Sequence, residues 1–218
     1  MKNIRTIIKN NWKIIIFILT LLIFLFIAED VLEKQLFTFD TSLYHFLVKL
    51  RNPILNGFFI SITHLGGFIA LGSISCLGII FIKNKSDRIL ICVNIVVSFI
   101  MNVLLKYEFA RQRPIEDRLI SEIGYSFPSG HAMVSTAVYG LFIYFIYTKL
   151  KNYRLKNFFI GLLVLLIILI DISRVYVGVH YASDVLAGTC FSIAYLILIL
   201  SYKKEFDVKK FFIRRHYN

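Results

Sequence analysis

Hydrophobic residues fill 58% of the 218 positions and the mean hydropathy is +0.73, well above the roughly 45 to 50% apolar content of a soluble domain, which excludes an ordinary water-soluble globule. The formal net charge of +12 invites a nucleic-acid reading, but the basic residues fall in short clusters between apolar runs, which is how a membrane topology is written. The three cysteines, Cys76, Cys92 and Cys190, have no CxxC spacing and lie inside apolar runs, so they read as small buried residues without a disulfide or metal role. The length allows about five to seven spans joined by short loops. With no repeat or linker visible, residues 1–218 read as a single membrane domain.

The chain opens with Lys2, Arg5, Lys9 and Lys13 around Trp12, followed by an apolar run over 14–28 interrupted only by Thr20. That run is short for a span of about 20 residues, and Trp12 extends it into the interface. No small-x-small site precedes Glu29, so a retained anchor is expected rather than a cleaved signal peptide. Asp40 then suits the N-cap of a helix in which Leu43, Phe46, Leu47 and Leu50 recur at helical spacing until Asn52-Pro53 ends it. One apolar stripe with Lys49 and Arg51 outside it describes a helix on the membrane surface, or one packed on the mouth of a bundle. Further spans are predicted over 57–82, 89–105, 132–147, 158–172 and 185–200, with a polar, basic tail over 201–218. The fold class is therefore all-α: an integral membrane bundle of six transmembrane helices with an additional interfacial amphipathic helix on the outer side.

Six spans put both termini on one face. That face collects 17 of the 25 Lys and Arg residues, from 1–13, 83–88, 149–156 and the tail, and leaves 8 for the other. The positive-inside rule then predicts a multi-pass cell-membrane protein with cytoplasmic termini. In the tail, Lys203, Lys204, Lys209, Lys210, Arg214 and Arg215 alternate with Phe206, Phe211 and Phe212. Anionic lipid headgroups explain that pattern more simply than a nucleic-acid partner.

The opposite, extracytoplasmic face concentrates polar residues that a membrane protein otherwise avoids. They form three clusters at span ends: Lys106 to Pro114, then Pro128-Ser129-Gly130-His131, then Ser173 to Asp184. Lys106, Arg113 and Arg174 would converge three fixed positive charges, which suits a phosphate. Ser129 can cap the helix that begins beside it, and the free N–H groups around Gly130 add to an anion site. Such donors match the charge that a transferring phosphoryl group spreads over three oxygens. His180 and Asp184 are four residues apart, so on a helix they share a face. Asp184 could hold the imidazole in one tautomer while the other nitrogen attacks phosphorus. His131 could then protonate the departing oxygen, giving a two-step route through a phosphohistidine.

The pattern K-x6-RP, PSGH and SR-x5-H-x3-D resembles that of the type-2 phosphatidic acid phosphatase family, the lipid phosphate phosphatases, whose site is shared with vanadium-dependent haloperoxidases. The compact bundle looks like bacterial phosphatidylglycerophosphatase-B-like members. The resemblance implies that Lys106, Arg113 and Arg174 hold phosphate oxygens, with Ser129 and Gly130 adding donors. It implies His180 as nucleophile, Asp184 as its partner, His131 as acid for the leaving group, and no metal or other cofactor. The expected activity is hydrolysis of a lipid phosphate: phosphatidylglycerol phosphate, undecaprenyl diphosphate or phosphatidic acid. A phosphotransferase, or a non-catalytic lipid-phosphate binder, would carry the same motifs.

Outside the motifs, His64 falls within the second span and could line a substrate cavity, and Asp171 could pair with a motif arginine. Ser173 could assist Arg174 or simply end its helix, and Pro114 and Gly178 read as backbone-shaping. Arg111 sits off the motif positions, so its loss is expected to cost less than that of Arg174. Two His and one Asp could bind a divalent ion, but three cations aimed at the same spot would repel it.

Overall fold

The computed structural model of the protein describes residues 4–34, 37–115 and 117–216, with side chains described only within 11–203. The side chains of Lys2, Arg5, Lys9 and of the tail from Lys204 onward therefore lie outside the described residues. The chain is all-helical among the described residues: α1 (Ile4–Leu32), α2 (Thr38–Lys49), α3 (Pro53–Leu65), α4 (Phe68–Phe81), α5 (Lys85–Phe109), α6 (Gly130–Lys149), α7 (Tyr153–Tyr176) and α8 (Ala182–His216). Five of these are long and apolar enough to cross a membrane, and the bent pair α3–α4 passes the same test of length and composition when taken together.

Short polar residues set the helix starts. Asn52, Asn84, Ser129 and Asn152 each turn a side-chain oxygen onto backbone N–H groups of the first turn of α3, α5, α6 and α7, satisfying donors that would otherwise face the bilayer unpaired. Ile14, Leu22, Phe26, Phe81, Val96 and Phe158 point outward. That would be costly in water and costs nothing against lipid tails, where helices associate by packing rather than by hiding apolar surface. Polar interior residues such as Asn94, whose amide donates to the Ala137 carbonyl at 2.9 Å, hold α5 to α6. α6 lies at the centre, packed on α4, α5, α7 and α8.

Several features differ from the sequence reading. The first apolar stretch covers 22 residues, Asn11–Leu32, so Glu29 and Asp30 belong to the helix. The 57–82 run is not one rod: it starts at Pro53, breaks at Gly66-Gly67 and bends by 47°. A Cβ at Gly66 would stand 2.6 Å from Ile170 Cγ2 and 3.2 Å from His131 Cδ2, so the break lets the chain approach α6 and α7. Asp40 is not an N-cap. Phe37 occupies that position with no side-chain cap bond, and Asp40 turns inward, buried, because charged and backbone donors await it there. Helix α2 packs on α7 and α8 at the mouth of the bundle. Cys76 and Cys92 face outward and only Cys190 is buried. Asp171 accepts a hydrogen bond from Thr189 at 2.7 Å and pairs with no arginine among the described residues.

Two ends of the bundle are chemically distinct. At one, the buried Asp87 of α5 meets Lys149 of α6 and Lys203 of α8, gathering residues from three of the basic clusters. At the other lie α2, the C-terminal ends of α5 and α7, the N-terminal ends of α6 and α8, and the α5–α6 loop.

Candidate active site

The loop leaving α5 is folded onto the ends of α7 and α8 by its backbone. Ala110 closes α5 in the left-handed region, φ 43°. Ser126 N–H then donates to the Arg111 carbonyl at 2.8 Å and Leu119 N–H to the Val177 carbonyl at 2.9 Å. Gly178, at φ +80°, adopts a conformation costly for other residues, and a Cβ there would also lie 2.7 Å from the Asp117 carbonyl. Gly130 opens α6 where a Cβ would stand 2.8 Å from Asn102 Oδ1, while Asn102 Nδ2 donates to the Pro128 carbonyl at 3.1 Å. Both predicted motif glycines are thus fixed by lack of room.

Arg113 is buried, with its guanidinium donating to the carbonyls of Gly124 (2.9 Å), Val179 (3.0 Å) and Ile123 (3.2 Å). Its Nη1 also lies 3.0 Å from His180 Nε2. A guanidinium can only donate, so Nε2 is the unprotonated nitrogen and Nδ1 carries the proton. Nδ1 stands 3.4 Å from Asp184 Oδ2, within ion-pair reach but outside hydrogen-bond geometry. Asp184 Oδ2 also accepts from Tyr181 N–H at 2.9 Å. Burial first, then the neighbouring charges of Arg174, Arg113 and Lys106, push the His180 pKa well below the ordinary histidine value. The ring is therefore neutral, with its Nε2 lone pair turned toward Arg113.

Arg174 is fully buried. Nη1 donates to Thr63 Oγ1 of α3 and Nη2 to Glu122 Oε1 of the loop, each at 2.6 Å, while Nε is buried without a partner. Glu122 Oε2 lies 4.0 Å from Arg113 Nη2, so one carboxylate sits between two guanidinium groups. Lys106 reaches in from α5 to the Tyr125 carbonyl. Ser129 Oγ accepts from Ala132 N–H at 3.5 Å, and Ser129 N–H donates to the Asp184 carbonyl at 3.0 Å, tying α6 to α8. His131 follows at the first turn of α6, facing the Gly66-Gly67 break, where a Cβ at Gly67 would lie 3.7 Å from its Nε2. The structure therefore brings all eight predicted site residues to one end of the bundle. Ser173 hydroxyl donates to the Ile170 carbonyl at 2.6 Å, a helix role. His64 is exposed beside the break.

Four residues of this cluster are not marked by the sequence motifs. Thr63 and Glu122 hold Arg174, and no spacing rule marks them. In sequence Asp40 suits a cap and Arg111 sits off the motif positions, yet Arg111 bridges Asp40 (3.1 Å) and Asp184 (2.6 Å). The expectation that Arg111 matters less than Arg174 loses its basis, because Arg111 touches the carboxylate beside His180. Among the described residues, no group of three His, Cys, Asp or Glu side chains is arranged to hold a metal ion.

Comparison with known proteins bears on the family and the fold. The chain is 33% identical over 195 residues to phosphatidylglycerophosphatase B of Bacillus subtilis (strain 168), covering 86% of this chain and 93% of the relative. It is 27% identical over 162 residues to an undecaprenyl-diphosphatase of Sulfolobus acidocaldarius, covering 71% and 74%. Among solved structures it resembles the first transmembrane PAP2-type phosphatidylglycerolphosphate phosphatase from Bacillus subtilis, with TM-score 0.78 and 28% identity, covering 87% of this chain and 96% of that one. LpxE from Aquifex aeolicus, with TM-score 0.64 and 24% identity over 76% and 97%, shares the fold. Residues 88–207 match the PAP2 superfamily, and with more than half its length inside that match the chain belongs to the PAP2 superfamily.

Proposed function

We propose that this membrane lipid phosphatase removes a terminal phosphate from phosphatidylglycerol phosphate through a phosphohistidine at the extracytoplasmic face. The observation that carries the mechanism is the 3.0 Å approach of Arg113 to His180 Nε2, which leaves that nitrogen as the lone-pair bearer beside phosphate-binding cations. In the first step Arg113 Nη1 passes from Nε2 to a phosphoryl oxygen, Nε2 bonds to phosphorus, and the bond from phosphorus to the lipid oxygen breaks. The leaving oxygen takes a proton from His131, whose protonated form the negative charge of the bound lipid phosphate favours. In the second, water attacks phosphorus, His131 takes its proton, the P–N bond breaks and inorganic phosphate leaves. Arg113, Arg174, Lys106, Ser129 and the backbone at Gly130 stabilise charge on the three phosphoryl oxygens. Asp184 offsets the positive charge that His180 gains when it binds phosphorus.

The orientation rests on the basic clusters. The end opposite the site carries Lys149 and Lys203 around Asp87, and the positive-inside rule makes that end cytoplasmic. The similarity to Bacillus phosphatidylglycerophosphatase B supports the substrate, and the similarity to an undecaprenyl-diphosphatase supports a lipid diphosphate as the second substrate to test. Passage of the phosphoryl group to another lipid hydroxyl instead of water would use the same intermediate.

The test is phosphate release by detergent-purified protein with chelator present, from phosphatidylglycerol phosphate, undecaprenyl diphosphate and phosphatidic acid, with His180→Ala as control. The expected result is release by the wild type alone, fastest from phosphatidylglycerol phosphate. Release by His180→Ala at the wild-type rate would sink the phosphohistidine route.

A further inference from the structure

We propose that Asp40 and Arg111 are positioning residues for the nucleophile, a buried Asp–Arg–Asp chain that links the interfacial helix α2 to the His180–Asp184 pair. This rests on the reading of His180 as the nucleophile. Asp40 is 1% exposed and Asp184 fully buried, so neither carboxylate is screened by water, and each needs partners. Arg111 supplies both from one planar fork. Nη2 donates to Asp40 Oδ2 at 3.1 Å, and Nη1 to Asp184 Oδ1 at 2.6 Å and to Ser183 Oγ at 2.8 Å. Asp40 in turn accepts from Ser183 N–H and Ser183 Oγ, each at 2.7 Å. The Tyr181 ring lies over the guanidinium at 4.1 Å, fixing its plane.

The consequence for His180 is geometric and electrostatic. Arg111 occupies Asp184 Oδ1, and Oδ2 accepts from Tyr181 N–H with His180 Nδ1 3.4 Å away in ion-pair reach. The carboxylate can then rotate neither toward nor away from the imidazole. Arg111 by itself would cancel the negative charge that Asp184 must offer when His180 becomes cationic on binding phosphorus. Asp40 restores it: two carboxylates around one guanidinium leave a net single negative charge next to the ring. A lysine at 111 would keep the charge but lose the two-armed geometry.

The experiment compares purified wild type with Arg111→Gln, Arg111→Lys, Asp40→Asn, the Arg111→Gln/Asp40→Asn pair, His180→Ala and, as neutral control, Lys49→Gln at the exposed end of α2. The substrate is dioctanoyl phosphatidic acid, and size-exclusion profile and Tm establish which variants are folded. Arg111→Gln and Asp40→Asn are expected to lower kcat about 10- to 100-fold, by analogy with the loss of partners that orient metal-binding histidines and carboxylates, with KM within about threefold. Arg111→Lys is expected between wild type and Arg111→Gln. The pair is expected to be no worse than its worse member, since residues acting as one unit are not additive. If Arg111→Gln does not fold, Arg111→Lys and Asp40→Asn decide by the same criterion. Wild-type kcat in folded Asp40→Asn and Arg111→Lys, or a loss confined to KM, overturns the proposal while the inactive His180→Ala leaves the nucleophile in place. Turnover by His180→Ala overturns the nucleophile assignment and this proposal together.

Discussion

Glu122 Oε1 accepts a hydrogen bond from Arg174 Nη2 at 2.6 Å, and the arginine is completely buried while the glutamate side chain is 28% exposed. The loop carboxylate is thus the anion that compensates a cation which the bundle holds away from water. On the proposed reading, a lipid phosphate approaching Arg174 and Arg113 would compete with it for the same donors. Deleting the charge at 122 has opposite effects on stability and on affinity. Removing one partner of a fully buried pair costs ~3–5 kcal/mol, and the exposure of Glu122 makes the cost here smaller.

Glu122→Gln is therefore expected to lower the Tm of the free protein and to tighten vanadate binding about tenfold, equivalent to ~1.4 kcal/mol. Vanadate should also restore most of the lost Tm. Inhibition titrations and thermal melts on the same preparation check this. Unchanged or weaker vanadate inhibition would show that Glu122 orients Arg174 for phosphate rather than competing with phosphate.

Arg174→Lys retains the charge but cannot reach Thr63, Glu122 and a phosphate oxygen from one plane. Loss of a preorganised donor to a transition-state oxyanion costs about 10²- to 10³-fold in kcat. A loss in that range is expected for Arg174→Lys in steady-state phosphate release. Thr63→Val, which removes only the hydroxyl that accepts from Nη1, should cost much less, and equal losses would point to packing instead.

His131 is assigned the proton for the leaving oxygen, so its removal should matter in proportion to how poor that leaving group is. With a lipid alkoxide leaving, His131→Ala is expected to lose about 10²- to 10⁴-fold, the usual worth of general acid catalysis. With p-nitrophenyl phosphate, whose phenolate departs unaided, the loss should shrink by at least tenfold. An equal loss on both substrates would remove His131 from that role.

His180 also makes a pH prediction for stability. Its folded-state pKa is depressed, whereas an unfolded histidine titrates near about 6.5. Below that pH the unfolded chain binds a proton that the folded site excludes, so stability falls as pH drops, by at most ~1.4 kcal/mol per pH unit from this group. Above it the histidine contributes no slope. The Tm of wild type should fall more steeply between pH 6.5 and 5 than that of folded His180→Gln. Parallel slopes would mean that His180 is solvated in the folded protein.

The sequence by itself determined the solvent, the fold class and the motif residues. Apolar runs the length of a bilayer crossing, separated by basic clusters, admit only a helical bundle, because backbone polar groups inside lipid must be satisfied within each helix. Spacing alone also put Ser129 at the start of a helix, whereas His180 meets Asp184 from the turn that precedes α8 and not from a shared helix face. Four things were settled by tertiary structure. Gly66-Gly67 reads as ordinary apolar sequence until Ile170 and His131 press against it. Asp40 reads as a cap until Arg111 and Ser183, more than 70 residues away in the chain, prove to be stronger partners. Thr63 and Glu122 join Arg174 across separations of 111 and 52 residues, and no local periodicity encodes such distances. A motif records which side chains are proposed to face the phosphate. The residues that hold those side chains still are chosen by whatever the fold brings behind them, and that depends on packing between helices rather than on spacing along one.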